Sequence, residues 1–241
     1  MRRPIIVLMS TLLLQACGGP GSVVPQSSLS SADKVMDAAM QAAMPDVALR
    51  LATEQVTQNP QNAVALARQG DAYRAMGQDP AAQGAYARAV AIDPSLQRAQ
   101  LGLGALLLHR DPAQAEVAFR RVLAASAQNP QALTGLGIAR DLQNDHEGAQ
   151  ASYRAALAVA PDLRAAQVDL GLSLALSGHG GDGVTLLRPL ASAPQADRLT
   201  RDNLAFALAS TGQSAEAASI LHEEMPDDAA ARTLAFYHTL F

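Results

Sequence analysis

Six small residues recur along the 241-residue chain at a nearly fixed interval: Ala48, Ala82, Ala115, Ala149, Gly183 and Ala217, separated by 34, 33, 34, 34 and 34 positions. A period of this size marks a chain of short units, each burying its apolar face only against its neighbours. Such a chain has no single central core. It speaks against an enzyme cleft and for a long groove that takes a partner.

The small residues belong to a longer pattern. Four positions after each stands Ala52, Tyr86, Phe119, Tyr153, Leu187 or Leu221, and three further on Gln55, Ala89, Val122, Ala156, Leu190 or Glu224. Offsets of 4 and 7 fall on one helical face. Each unit therefore ends in a helix with a small, large, usually small stripe. An upstream helix carries its own small residue: Gly70, Gly104, Gly137, Gly171 or Ala205. Between the two helices stand Gly77, Asn144, Gly178 and Gly212, residues that accept positive φ. Pro60, Pro94, Pro130, Pro161, Pro194 and Pro226 separate the units, because proline is poorly tolerated inside a helix. Aromatics make up only 3% of the chain and no β-branched alternation appears, so the reading is all-α.

This pattern resembles the tetratricopeptide repeat (TPR). Residues 63–96 carry it most fully, as Gly70, Tyr73, Gly77, Ala82, Tyr86, Ala89 and Pro94. Residues 130–163 follow with Leu136, Gly137, Asn144, Ala149, Tyr153, Ala156 and Pro161. Units 97–129, 164–197 and 198–231 are looser, and 29–62 is degenerate, keeping only Ala48 and Pro60. Unit 97–129 is one residue short, a loss placed in the loop around His109 to Pro112. The resemblance implies an α-solenoid, a superhelix of helix-turn-helix repeats over 33–231, closed by a capping helix over 229–241. Unrelated helical hairpins are the competing reading.

The amino terminus reads differently. Met1-Arg2-Arg3 is a positive start, and Ile5 to Leu14 is an apolar run too short to span a bilayer comfortably. It ends in Leu14-Gln15-Ala16-Cys17, which resembles a bacterial lipobox. The resemblance implies a signal peptide over 1–16, cleavage before Cys17, and acylation of the cysteine thiol and the new amino terminus. Two or three acyl chains anchor stably where one binds only marginally. Cys17 is the only cysteine, so no internal disulfide is possible. A buried structural thiol and the end of an ordinary signal peptide are the alternatives for it. Gly18 is not the aspartate that retains enterobacterial lipoproteins in the inner membrane, so the expectation is an outer-membrane lipoprotein facing the periplasm. Residues 18–32 are rich in Gly, Pro and Ser and read as a flexible linker, with Asp33 as a helix start.

No catalytic constellation emerges. His109, His146, His179, His222 and His238 share no i, i+4 spacing and read as surface or loop residues. Zinc has no cysteine available beyond Cys17. The stretch Gly178 to Gly183 lacks the Gly-Lys-Ser/Thr ending of a phosphate loop. No metal and no cofactor is expected. No basic stripe with interleaved aromatics points to nucleic acid. Glu223, Glu224, Asp227 and Asp228 read as a solvated acidic face.

In TPR proteins the first helix of each repeat lines the concave face. That register here selects Arg98, Leu101 and Leu108, then Ile138 and Leu142, then Val168, Leu172 and Leu176, then Leu199 and Phe206. Asp71, Arg74, Thr134, Asp141 and Asp202 fall on the same face. Its later part is markedly apolar, as a partner-binding strip would be. The alternative is that the carboxy-terminal helix folds over it.

The last repeat, Arg201-Asp202-Asn203-Leu204-Ala205-Phe206, with Gly212, Ala215-Glu216-Ala217 and a tail containing Phe236-Tyr237, is similar to the TadD family of Tad (tight adherence, Flp-type) pilus assembly systems. That resemblance implies a non-catalytic TPR lipoprotein that helps assemble the outer-membrane secretin and export apparatus. The expected partners are thus envelope proteins, a secretin among them, with the membrane reached through the lipid. Another TPR lipoprotein adaptor is the alternative: a type IV pilotin, or an adaptor for cell-wall hydrolases or outer-membrane assembly. A TPR-bearing cell-wall hydrolase would need a catalytic domain for which the repeats leave no room.

Overall fold

Alanine- and leucine-rich segments, interrupted by Gly, Asn and Pro, form thirteen α-helices and no strand among the described residues, 31–240 of a computed structural model. The Arg2-Arg3 start, the apolar run, Cys17, most of the linker and Phe241 lie outside them. The helices are α1 (Ser31–Gln41) and α2 (Pro45–Gln58), α3 (Ala63–Ala75) and α4 (Asp79–Ile92), α5 (Gln97–Leu107) and α6 (Pro112–Ala125). Then come α7 (Pro130–Asp141) and α8 (His146–Val159), α9 (Arg164–Leu176) and α10 (Gly180–Ala191), α11 (Arg198–Ser210) and α12 (Ser214–Glu224), and last α13 (Asp227–His238). No helix here is long and apolar enough to cross a membrane.

Local chemistry sets the boundaries. Asn62, Asp111, Asp145 and Asp197 cap α3, α6, α8 and α11, each side chain accepting a backbone N–H of the first turn. Such a cap is worth about 1 kcal/mol. Gly77, Asn144, Gly178 and Gly212 sit between paired helices with φ of +70, +65, +86 and +78°. The turn of α1 and α2 has the same conformation at Ala43, φ +54°, an alanine 34 positions before Gly77. The short unit differs: α5 has 11 residues against 13 in α3, and no positive φ follows it.

The chain divides into two compact units between Gly135 and Leu136, inside α7. In the amino-terminal unit the large residues of the second helices fill the space that glycines leave. A Cβ on Gly70 would come within 2.6 Å of the Tyr86 ring, and one on Gly102 within 2.3 Å. Phe119 is held in the same way between Gly104 and Gly135, at 2.9 and 2.5 Å. Both rings are wholly buried, Tyr86 within a cluster containing Leu66, Ala67, Ala82, Ala89 and Ala99.

The carboxy-terminal unit repeats the device. A Cβ on Gly137 would meet the Tyr153 ring at 2.4 Å, and one on Gly171 would meet Leu187 at 2.5 Å. At Gly183 the obstacle is the Gly171 carbonyl, 2.7 Å away, so the small residue of that unit marks a direct helix-on-helix approach. Pro189 lies inside α10, a proline the separator pattern does not include. The final helix begins at Asp227, two residues before its expected start and five before the position 34 residues beyond the start of α11.

Candidate functional site

The inner positions of the first helices were expected to form one binding strip, and burial divides them. In the amino-terminal unit Arg98 and Leu101 are partly exposed, whereas Leu108 is buried. Arg98 is engaged within the fold. Its guanidinium pairs with Asp71 of α3 and lies 3.6 Å from Asp37 of α1. Arg68, itself buried, donates to the same Asp37 oxygen at 2.6 Å and lies 3.4 Å from Asp33. The Tyr86 hydroxyl donates to Asp71 at 2.6 Å. These groups tie α1, α3 and α5 together, and Asp71 and Arg98 are the two of them that the inner register names.

In the carboxy-terminal unit Ile138, Val168, Leu172 and Phe206 are buried, and Leu142, Leu176 and Leu199 are partly exposed. The buried set faces neighbouring helices, since α9 packs against α8, α10 and α11. Phe206 is covered by the last helix, where the Tyr237 ring meets it edge-on at 5.1 Å. The tail thus covers the last repeat, and in this unit the accessible apolar positions of the register reduce to the three leucines.

One cluster has the residue types of a hydrolase without its geometry. Asp141 Oδ1 lies 2.8 Å from His146 Nδ1 and accepts from the Ser173 hydroxyl at 2.8 Å, while Oδ2 accepts from the Tyr153 hydroxyl at 2.9 Å. A nucleophilic serine needs its hydroxyl on the base. Here the hydroxyl is on the carboxylate, and Ser173 is wholly buried. Burial pushes the Asp141 carboxyl above its usual range, with the hydrogen bonds from His146, Ser173 and Tyr153 opposing. Tyr153 is pushed well up, first by burial and then by Asp141 and Asp169. The cluster pins α8 and α9 to the end of α7. By sequence His146 reads as a surface histidine, yet it is partly buried; its place five residues after Asp141, across the turn at Asn144, is the signal that identifies it.

His109, His179, His222 and His238 are exposed. Among the described residues no group of three or more His, Cys, Asp or Glu side chains could hold a metal ion. The large apolar residues most open to solvent, Val35, Met44, Val64, Met76, Val117 and Val159, are spread over six segments and form no strip in the register. Glu224 of the acidic stretch pairs with Arg201, while Glu223, Asp227 and Asp228 are exposed.

Comparison with known proteins finds the fold and no family. No sequence-family profile and no curated protein sequence matches the chain. Solved structures do. PilW, described as a widely conserved type IV pilus biogenesis factor, is 22% identical with a TM-score of 0.69, over 85% of this chain and 96% of its own. A tetratricopeptide repeat protein from Parabacteroides merdae is 12% identical with a TM-score of 0.63, over 85% and 82%. YrrB, described as a TPR protein with an unusual peptide-binding site, is 15% identical with a TM-score of 0.58, over 78% and 97%. The fold is an all-α array of tetratricopeptide repeats.

Proposed function

We propose that the chain is a non-catalytic, protein-binding scaffold of the bacterial cell envelope. Lipid on Cys17 holds it to the outer membrane, facing the periplasm, and it serves assembly of a Tad/Flp-type pilus, with a secretin or a neighbour of the secretin as partner. The observation that carries this reading is the likeness to a pilus biogenesis factor over most of both chains. The Leu14-Gln15-Ala16-Cys17 run and the TadD-like last repeat agree with it. The same likeness favours a second reading, in which the pilus served is of type IV.

Deleting the gene and assaying surface pili and secretin multimers tests both readings. Loss of Flp-type pili supports the first and loss of type IV pili the second; intact pili and intact secretin multimers refute the two together. Cys17→Ser, in cells fed a clickable fatty acid, tests the anchor. The variant should lose the label and leave the membrane fraction, and a labelled, membrane-bound variant refutes the anchor.

A further inference from the structure

The last helix breaks the array's own rule. The repeat register would start a new first helix at Arg232, yet α13 starts at Asp227 after a two-residue connection, Met225 and Pro226. Both residues are extended, with φ, ψ of −153, 159° and −56, 149°. α13 is therefore not the first helix of another repeat. It lies on α11 and α12, across the inner positions of the last repeat.

Its seat is narrow. Ala230 and Tyr237 are its buried residues, while Thr233, Leu234, Phe236 and Leu240 are only half-buried. The main anchor is Tyr237 on Phe206. An edge-on aromatic pair is favourable; the further ties of α13 are polar contacts, the exposed pairs His222 with Asp227 and Ser214 with His238, and Thr233 with the Met225 sulfur, so little apolar surface holds the helix.

Beneath this seat the chemistry is incomplete. Asp202 reaches Arg198 through Oδ2 at 3.5 Å, and its Oδ1 is buried without a hydrogen-bond partner among the described residues. Burial pushes this carboxyl upward; Arg198 opposes that most strongly and Glu224 adds to it. Tyr237 is pushed up by burial and then by the charge of Asp202. So α13 brings a ring to Phe206 and no donor to Asp202. A lysine or arginine beside an aromatic residue would supply both.

Charge across the chain points the same way. Residues 31–135 hold nine acids and nine bases, whereas residues 136–240 hold thirteen acids against seven arginines, a net charge of −6. The whole acidic excess belongs to the unit that carries α13, and it favours a positive partner.

We infer that α13 is a displaceable cover, and that the segment replacing it is a cationic, aromatic-bearing stretch of a partner protein, its ring on Phe206 and its Lys or Arg on Asp202. This rests on the scaffold reading and names the chemistry of the partner. A cover that closes the site lowers apparent affinity by the fraction of molecules left open, so loosening it must strengthen binding.

The test uses the full chain and two synthetic helical peptides. One carries lysines around a single phenylalanine; its twin has glutamate at each lysine. Fluorescence anisotropy gives the affinities, and hydrogen exchange follows the α13 amides. The lysine peptide should bind and speed exchange in α13. Its affinity should rise about tenfold with Tyr237→Ala and fall about tenfold with Asp202→Asn, and the glutamate twin should not bind. If circular dichroism shows Tyr237→Ala unfolded, Tyr237→Leu decides, since it keeps an apolar contact without the ring. Equal affinity across the variants, unchanged α13 exchange, or binding of the glutamate twin overturns the inference. So does a dimer by sedimentation in which a second copy supplies the helix. Capture of a secretin by the full chain with α13 exchange unchanged would sink this inference and leave the scaffold standing. If α13 yields to the lysine peptide while pili and secretin multimers survive gene deletion, the pilus reading fails and the cover stands.

Discussion

Gly102→Ala sets two effects of opposite sign against each other in one helix. Alanine is the better helix former by about 1 kcal/mol, so in α5 the substitution should stabilise if nothing else mattered. The new Cβ would stand 2.3, 2.6 and 2.7 Å from three atoms of the Tyr86 ring. That ring has little room to swing away, because Gly70 also lies close against it and its hydroxyl is on Asp71. Reaching normal contact needs a shift on the order of 1 Å in a closed site, and overpacking of this kind costs about 3 kcal/mol at its upper range. The net expectation is a loss of about 2 kcal/mol, which lowers the melting midpoint by about 4–8 °C in a chain of this size. Gly84→Ala is the control: it lies in α4, exposed, and its Cβ would meet nothing within 4 Å. It should gain about 1 kcal/mol. Thermal melts followed by circular dichroism measure both, and Tyr86→Leu in the Gly102→Ala background should recover part of the loss. If Gly102→Ala melts at or above the parent, the packing of ring on glycine is not what holds successive repeats together.

Three further substitutions test other parts of the fold. Ala43→Gly should stabilise by about 1 kcal/mol, because Ala43 is held at φ +54°, where a Cβ is penalised; a lower midpoint would show that this turn is not strained. Asn203 is wholly buried, and neither amide atom has a hydrogen-bond partner among the described residues. Asn203→Leu should therefore gain about 1–2 kcal/mol in denaturant melts, and a loss would mean that the amide is engaged in the native protein. Asp141→Asn addresses pH. Burial holds the Asp141 carboxyl above its usual range, so its contribution to stability is complete below the unfolded-state value and is lost as pH rises through the folded-state value. The parent should gain on the Asn variant as pH falls from 7 into and just above the carboxylate range; a gap that widens in favour of the variant refutes that account of the cluster.

The features legible in the sequence are those where one residue type meets one steric demand. Gly77, Asn144, Gly178 and Gly212 announce their turns because positive φ excludes most side chains. Gly70, Gly104, Gly137 and Gly171 announce the ring or leucine that lies on them, because a Cβ there would clash. Ala43 gives no such signal, since an alanine in a left-handed turn looks like any helical alanine. Pro189 reads as a break, yet α10 passes through it and ends two residues later. The start of α13 could not be counted from the period either, because the connection after α12 is two residues where the earlier units use four, or six before α11.

The binding face was only half legible for a different reason. A register names which residues point inward from the first helices, but burial depends on what the next first helix brings against them. In both units that neighbour brings polar groups. Asp37 and Asp71 are bridged by Arg98 in one, and Asp141 is held by Ser173 in the other. Residues that look like recognition groups in the sequence are therefore cross-ties between successive first helices. Substituting them should disturb the fold before it disturbs any partner. Recognition falls to what the cross-ties leave over: the partly exposed Leu142, Leu176 and Leu199, and Asp202, whose carboxylate no neighbouring helix completes. In an array whose acidic excess is confined to the same unit, an apolar and cationic segment is the ligand that these leftovers fit.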